Sequence, residues 1–162
     1  MANGAGLGFQ GGVNVLNETL SIRGAGVGNA GALRNISGNN SWTGLVTLTN
    51  SLRITSNSGT LSLGAMVAVG RTIIMNGAGN VTINGNITGT TAAVTVDNAF
   101  DTANPSGILR LKGVNTFTGP MTVTNGMTVQ TTSNAKLPCV WAGSATSEAL
   151  RRYRITDQIT SP

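Results

Sequence analysis

The chain has no histidine and one cysteine, Cys139. Without imidazole there can be no Ser–His or Cys–His nucleophile and no imidazole metal ligand. A lone cysteine permits no internal disulfide. Charge is scarce too. Charged residues make up 9% of the 162, far below the roughly 25% of an ordinary soluble domain. Ten bases face five acids, for a net charge of +5. Arg151, Arg152 and Arg154 crowd the tail, and the other seven bases are scattered. A nucleic-acid binder shows a dense basic stripe with stacking aromatics. Here aromatics are only 4%, so no nucleic-acid partner is expected. No apolar run reaches the ~18 residues of a membrane-spanning helix. The opening MANGAGLGFQGG has neither a basic nor an apolar segment and does not read as a signal peptide.

What is present is aliphatic, small and polar. Hydrophobic residues reach 40% and there are 23 glycines, with Asn, Ser and Thr in place of charges. The positive mean hydropathy argues against disorder. Thr and Asn on a Gly-rich chain point to closely packed β-structure.

Short period-2 pairs recur along the chain: Val46/Leu48, Leu52/Ile54, Leu61/Leu63, Ile73/Met75, Val81/Ile83, Val94/Val96, Leu109/Leu111, Met121/Val123 and Met127/Val129. Thr, Ser, Asn or Arg take the other phase, so each strand has one apolar face. Asn and Gly clusters mark the bends, at Gly38-Asn39-Asn40, Asn50-Ser51, Asn57-Ser58-Gly59, Asn76-Gly77, Asn84-Gly85-Asn86 and Asn125-Gly126. Two architectures fit: a sandwich or barrel of hairpins, or a solenoid in which each strand lies on its counterpart one coil earlier.

A repeated phrase favours the solenoid. NSWTGLVTLTNSLRI (40–54) and NTFTGPMTVTNGMTV (115–129) match position by position. Asn40 aligns with Asn115, Trp42 with Phe117, Gly44 with Gly119 and Asn50 with Asn125. Val46, Leu48, Leu52 and Ile54 align with Met121, Val123, Met127 and Val129. A solenoid buries each coil against like neighbours, at roughly 20–25 residues per coil. The chain would hold about six or seven coils. The aromatics would fill corners, the glycines would permit the turn and the Asn would close the next bend.

LRLKGVNTFTGPMTVTNGMTV (109–129) and ALRNISGNNSWTGLVTLTNSLRI (32–54) resemble the passenger-associated repeat of autotransporters, and GNVTINGNITG (79–89) resembles their linking coils. The two copies span about a quarter of the chain, and a looser pattern runs over about 13–136. The resemblance implies a right-handed parallel β-helix, exported and displayed at a bacterial surface. Residues 1–137 would form this segment, an excerpt of a longer precursor. Residues 138–162 break the pattern and are expected to cap it, with a short helix over 148–154 capped by Ser147.

Chemistry is sparse. Asp97 and Asp101 lie in the longest turn-rich insertion, where two carboxylates would suit a polysaccharide hydrolase or lyase, or a Ca²⁺ ion. Solvated loop acids are the plainer account. Thr47, Thr49, Thr122 and Thr124 would form an outward lattice of the kind found on ice-binding β-solenoids. Strands stack at ~4.8 Å and alternate residues along a strand lie ~6.7 Å apart. The expectation is a non-catalytic stalk or adhesive passenger with no cofactor. It would self-associate through its ends or edges, take a glycan or host-surface ligand, and not insert in a membrane.

Overall fold

The computed structural model describes residues 4–97, 107–124 and 128–131, and the backbone of 154–155. Among them are strands β1 (Leu7–Gln10), β2 (Asn14–Val15), β3 (Leu20–Gly24), β4 (Leu33–Ser37), β5 (Asn39–Trp42) and β6 (Val46–Ser56). Next come β7 (Thr60–Leu63), β8 (Met66–Val67), β9 (Thr72–Asn76), β10 (Asn80–Ile83) and β11 (Ile87–Thr88). The last are β12 (Ala93–Asp97), β13 (Ile108–Leu111), β14 (Met121–Thr124), β15 (Thr128–Thr131) and β16 (Arg154–Ile155). The only helix among the described residues is a single 3₁₀ turn, Val27–Asn29.

The strands form two sheets. One runs β1-β4-β6-β9-β12-β14, with β3 and β8 also on β6 and β11 on β8. The other runs β16-β15-β13-β10-β7-β5-β2. Every strand pairing among the described residues is parallel. Hairpins give antiparallel pairs, so the sandwich alternative falls. Contacts between neighbouring passes of the chain join residues 20 to 28 apart. An all-β chain with parallel strands at this spacing is consistent with a β-solenoid-like fold.

Registry makes the core. Leu33, Ile54, Met75, Val96 and Val123 are successive partners across β4, β6, β9, β12 and β14. Leu52, Ile73, Val94 and Met121 form a second row. Leu61, Val81, Leu109 and Val129 form a third in the other sheet, and Val46, Met66 and Ile87 a fourth. All are buried except Val123, which is half-buried. Burying each such side chain contributes roughly 1.5–3 kcal/mol, but only where a neighbouring pass covers it. The period-2 pairs that lie wholly within the described residues therefore fold as the pattern requires.

Two expectations are corrected. Asn50-Ser51 is not a break. β6 runs through it as one strand, pairing β8 with its first part, β4 and β9 with its second, and β3 with its first part and, after a register shift, Leu52. The aligned residues of the repeated phrase also do not share rows. Met121 falls in the row of Leu52 instead of Val46, and Val129 in the row of Leu61 instead of Ile54. The passes are unequal, 20 or 21 residues in some places and 26 to 28 in others, so sequence position drifts against position in the sheet. The expected helix over 148–154 lies outside the described residues except at Arg154, which opens β16 beside β15. Asp101, Asn125 and Met127 also lie outside them.

Candidate functional site

The repeated phrase does the same local work twice. The Oδ1 of Asn40 accepts hydrogen bonds from the backbone N–H groups of Gly12 and Val13, at 3.0 and 2.7 Å. The Oδ1 of Asn115 accepts from the N–H of Ile87 at 2.9 Å. Three residues after each Asn comes a Thr. Thr43 Oγ1 accepts from the N–H of Asn17, and Thr118 Oγ1 from the N–H of Thr91. Asn17 and Thr91 are two of the three non-Gly residues described with positive φ, at 60° and 56°. Gly follows each Thr. A Cβ on Gly44 would sit 1.9 Å from the carbonyl oxygen of Glu18, and one on Gly119 2.3 Å from that of Ala92.

These contacts have a common cause. The spacing between facing residues falls from 27 at Asn40 to 26 at Thr43, and from 28 at Asn115 to 27 at Thr118. At both corners the earlier pass carries one residue more than the pass lying on it. The surplus residue takes the left-handed conformation, as in a β-bulge, and its N–H loses its ladder partner. The Thr hydroxyl supplies the missing acceptor, and the Gly lets the shorter corner lie flat against the longer one.

The aromatics differ between copies. Phe117 is fully buried and cannot stack a sugar. Trp42 is half-buried and meets Phe9 edge-on, with ring centroids 6.3 Å apart. Its Nε1 is buried and has no acceptor among the described residues.

A buried polar network adjoins the first corner. Asn40 Nδ2 donates to Asn35 Oδ1 at 2.5 Å and to the Ser37 carbonyl at 2.9 Å. Asn35 Nδ2 in turn reaches the Ser58 carbonyl at 2.8 Å and Ser56 Oγ at 3.2 Å. One pass later Thr55 Oγ1 donates to Asn76 Oδ1 at 2.5 Å. Asn35, Ser56 and Asn76 are buried. Sequence reading marked Asn76 as a bend residue but foresaw burial for none of the three, because polar side chains count as outward when only alternation is read. Their one signal was position, each standing at or beside a bend with Gly close by.

The outward threonines separate. Thr47 faces Val67, which faces Thr88. Thr116 continues this row, since its N–H donates to the Ile87 carbonyl. Two residues along each segment come Thr49, Val69, Thr90 and Thr118, all exposed, while Leu48, Ala68 and Phe117 between the pairs are buried. Thr122 and Thr124 are elsewhere, facing Thr95 and Asp97 on β12. The structure therefore does not bring the four expected threonines together. It sets Thr47 and Thr49 in a Thr/Val array that sequence reading did not assemble.

Asp97 ends β12, half-buried, opposite Thr124. Among the described residues no three His, Cys, Asp or Glu side chains gather where a metal ion could be held. No protein-family model, curated protein or solved structure matches the chain.

Proposed function

We propose that the chain is a segment of a right-handed parallel β-solenoid that works by its surface, as the stalk or adhesive passenger of a protein displayed outside a bacterial cell, with no catalysis of its own. The observation that carries this reading is the corner phrase, whose Asn, Thr and Gly make matching contacts in both copies. Such a phrase serves a rod built of stacked passes, and it is the phrase that resembles autotransporter passengers. The outward rows carry Thr, Ser, Asn and scattered Arg, with Val67 and Val69 among them, so the rod offers many weak hydrogen-bonding groups, and affinity accumulates by their number. β1, β2 and β3 pair on one side only among the described residues. Open edges of this kind pair readily with another chain, which supports self-association end to end. Beads coated with the purified chain are expected to adhere to one another or to host-cell surfaces, above beads coated with the chain after heat denaturation. Turnover of an acidic polysaccharide by the purified chain, abolished in Asp97→Ala or Asp101→Ala, would replace this reading with an enzymatic one.

The Thr/Val array supports a second reading, ice binding. Its first row, Thr47, Val67, Thr88 and Thr116, crosses four successive passes at the ~4.8 Å spacing of paired strands, with a methyl group at every position. Thermal hysteresis in the purified chain, lost in Thr88→Lys at the middle of the array, is the expected result on this reading. Freezing behaviour no different from an unrelated protein at equal concentration eliminates it.

A further inference from the structure

We infer that Asn84 is a site of spontaneous deamidation in the folded protein, and that the product strains the corner it occupies. Two Asn–Gly pairs lie wholly within the described residues, and they are placed in opposite ways. Asn76 is 2% exposed, and its Oδ1 is held by the Thr55 hydroxyl at 2.5 Å. Asn84 is exposed, and its side chain makes no hydrogen bond among the described residues. The N–H of Gly85 donates none either, although the N–H of Asn84 is tied to the Leu63 carbonyl at 2.8 Å.

These are the conditions for imide formation. Gly85 has no side chain to shield its amide nitrogen. That nitrogen, losing its proton to hydroxide, attacks Cγ of Asn84. The Cγ–Nδ2 bond breaks and ammonia leaves, taking a proton from water. A water molecule then opens the succinimide at either carbonyl. One opening yields aspartate. The other yields isoaspartate, in which the main chain runs through the former side-chain methylene.

The corner does not take the second product easily. A Cβ on Gly85 would lie 2.6 Å from the Ala65 amide nitrogen and 2.7 Å from its Cα. A lengthened main chain here must push the two passes apart.

The test is ageing of the native full chain in mildly alkaline buffer, read by fragment-ion mass spectrometry and by isoaspartyl methyltransferase labelling. Asn84 is expected to convert at least about tenfold faster than Asn76, the factor that one buried hydrogen bond of about 1.4 kcal/mol supplies. The aged chain is expected to melt lower than the fresh one, and Asn84→Gln, which forms the imide far more slowly, to hold its melting point. Conversion at Asn84 no faster than at Asn76 overturns the inference. So does an equal fall in melting point for Asn84→Gln.

Discussion

Gly64→Ala is expected to lower the melting temperature by roughly 6–12 °C, which is about 3 kcal/mol for a chain of this size. Gly64 sits at the bend between β7 and β8, directly on the bend between β5 and β6. A Cβ there would lie 2.2 Å from the Thr43 carbonyl oxygen and 2.8 Å from that of Gly44. Both atoms are main chain, so no side chain can swing aside. Gly64 does not need the left-handed region, so the cost is one of space alone. Gly28→Ala provides the contrast. Nothing lies within 4 Å of its Cβ position, but its φ is 57°. It is expected to cost only the ~1–2 kcal/mol of a non-Gly residue held left-handed. Thermal unfolding followed by circular dichroism decides the matter. A Gly64→Ala chain that melts no lower than Gly28→Ala would mean the passes are not packed as closely as described.

Asn40→Leu is expected to cost about 3 kcal/mol, by removing partners from several polar groups at once. Asn40 is 2% exposed. Its Oδ1 holds the amides of Gly12 and Val13, and its Nδ2 holds Asn35. Leu fills a similar volume and leaves those groups without partners. The loss has a local signature that general destabilisation lacks. Hydrogen exchange at the Gly12 and Val13 amides should quicken by more than about tenfold, as expected for each 1.4 kcal/mol withdrawn. Amides of β12 and β13, several passes away, should change less. Uniform acceleration along the chain would show that Asn40 does not hold the first bend in particular.

Strands were legible in the sequence where aliphatic residues alternate. Leu61/Leu63, Ile73/Met75, Val94/Val96 and Leu109/Leu111 all read correctly, because burial on one face imposes a period of two. β1 and β2 were not, since Gly8 stands between Leu7 and Phe9, and β2 has only Val15 as an apolar residue. The repeated phrase was visible, but its meaning was only half so. Matching Val46 with Met121 assumed equal passes, and a linear alignment cannot see that one pass is several residues longer than the next. The buried Asn35 and Asn76 were hidden for another reason. Polarity alone does not separate a side chain facing water from one satisfied inside a bend. The expected Thr face splits into two pairs, Thr47 with Thr49 and Thr122 with Thr124 on β14, because the neighbours of the first pair, Val67, Val69 and Thr116, become neighbours only through the strand register.

The Thr hydroxyls on Asn17 and Thr91 have a consequence for how such a chain can grow. Lineages that lengthen by tandem duplication join units of differing length, and every seam risks a leftover peptide group. An Asn-x-aromatic-Thr-Gly junction absorbs one residue of mismatch with a single hydroxyl and a missing methyl, so inserts and deletions could accumulate upstream of it without throwing the following strands out of step.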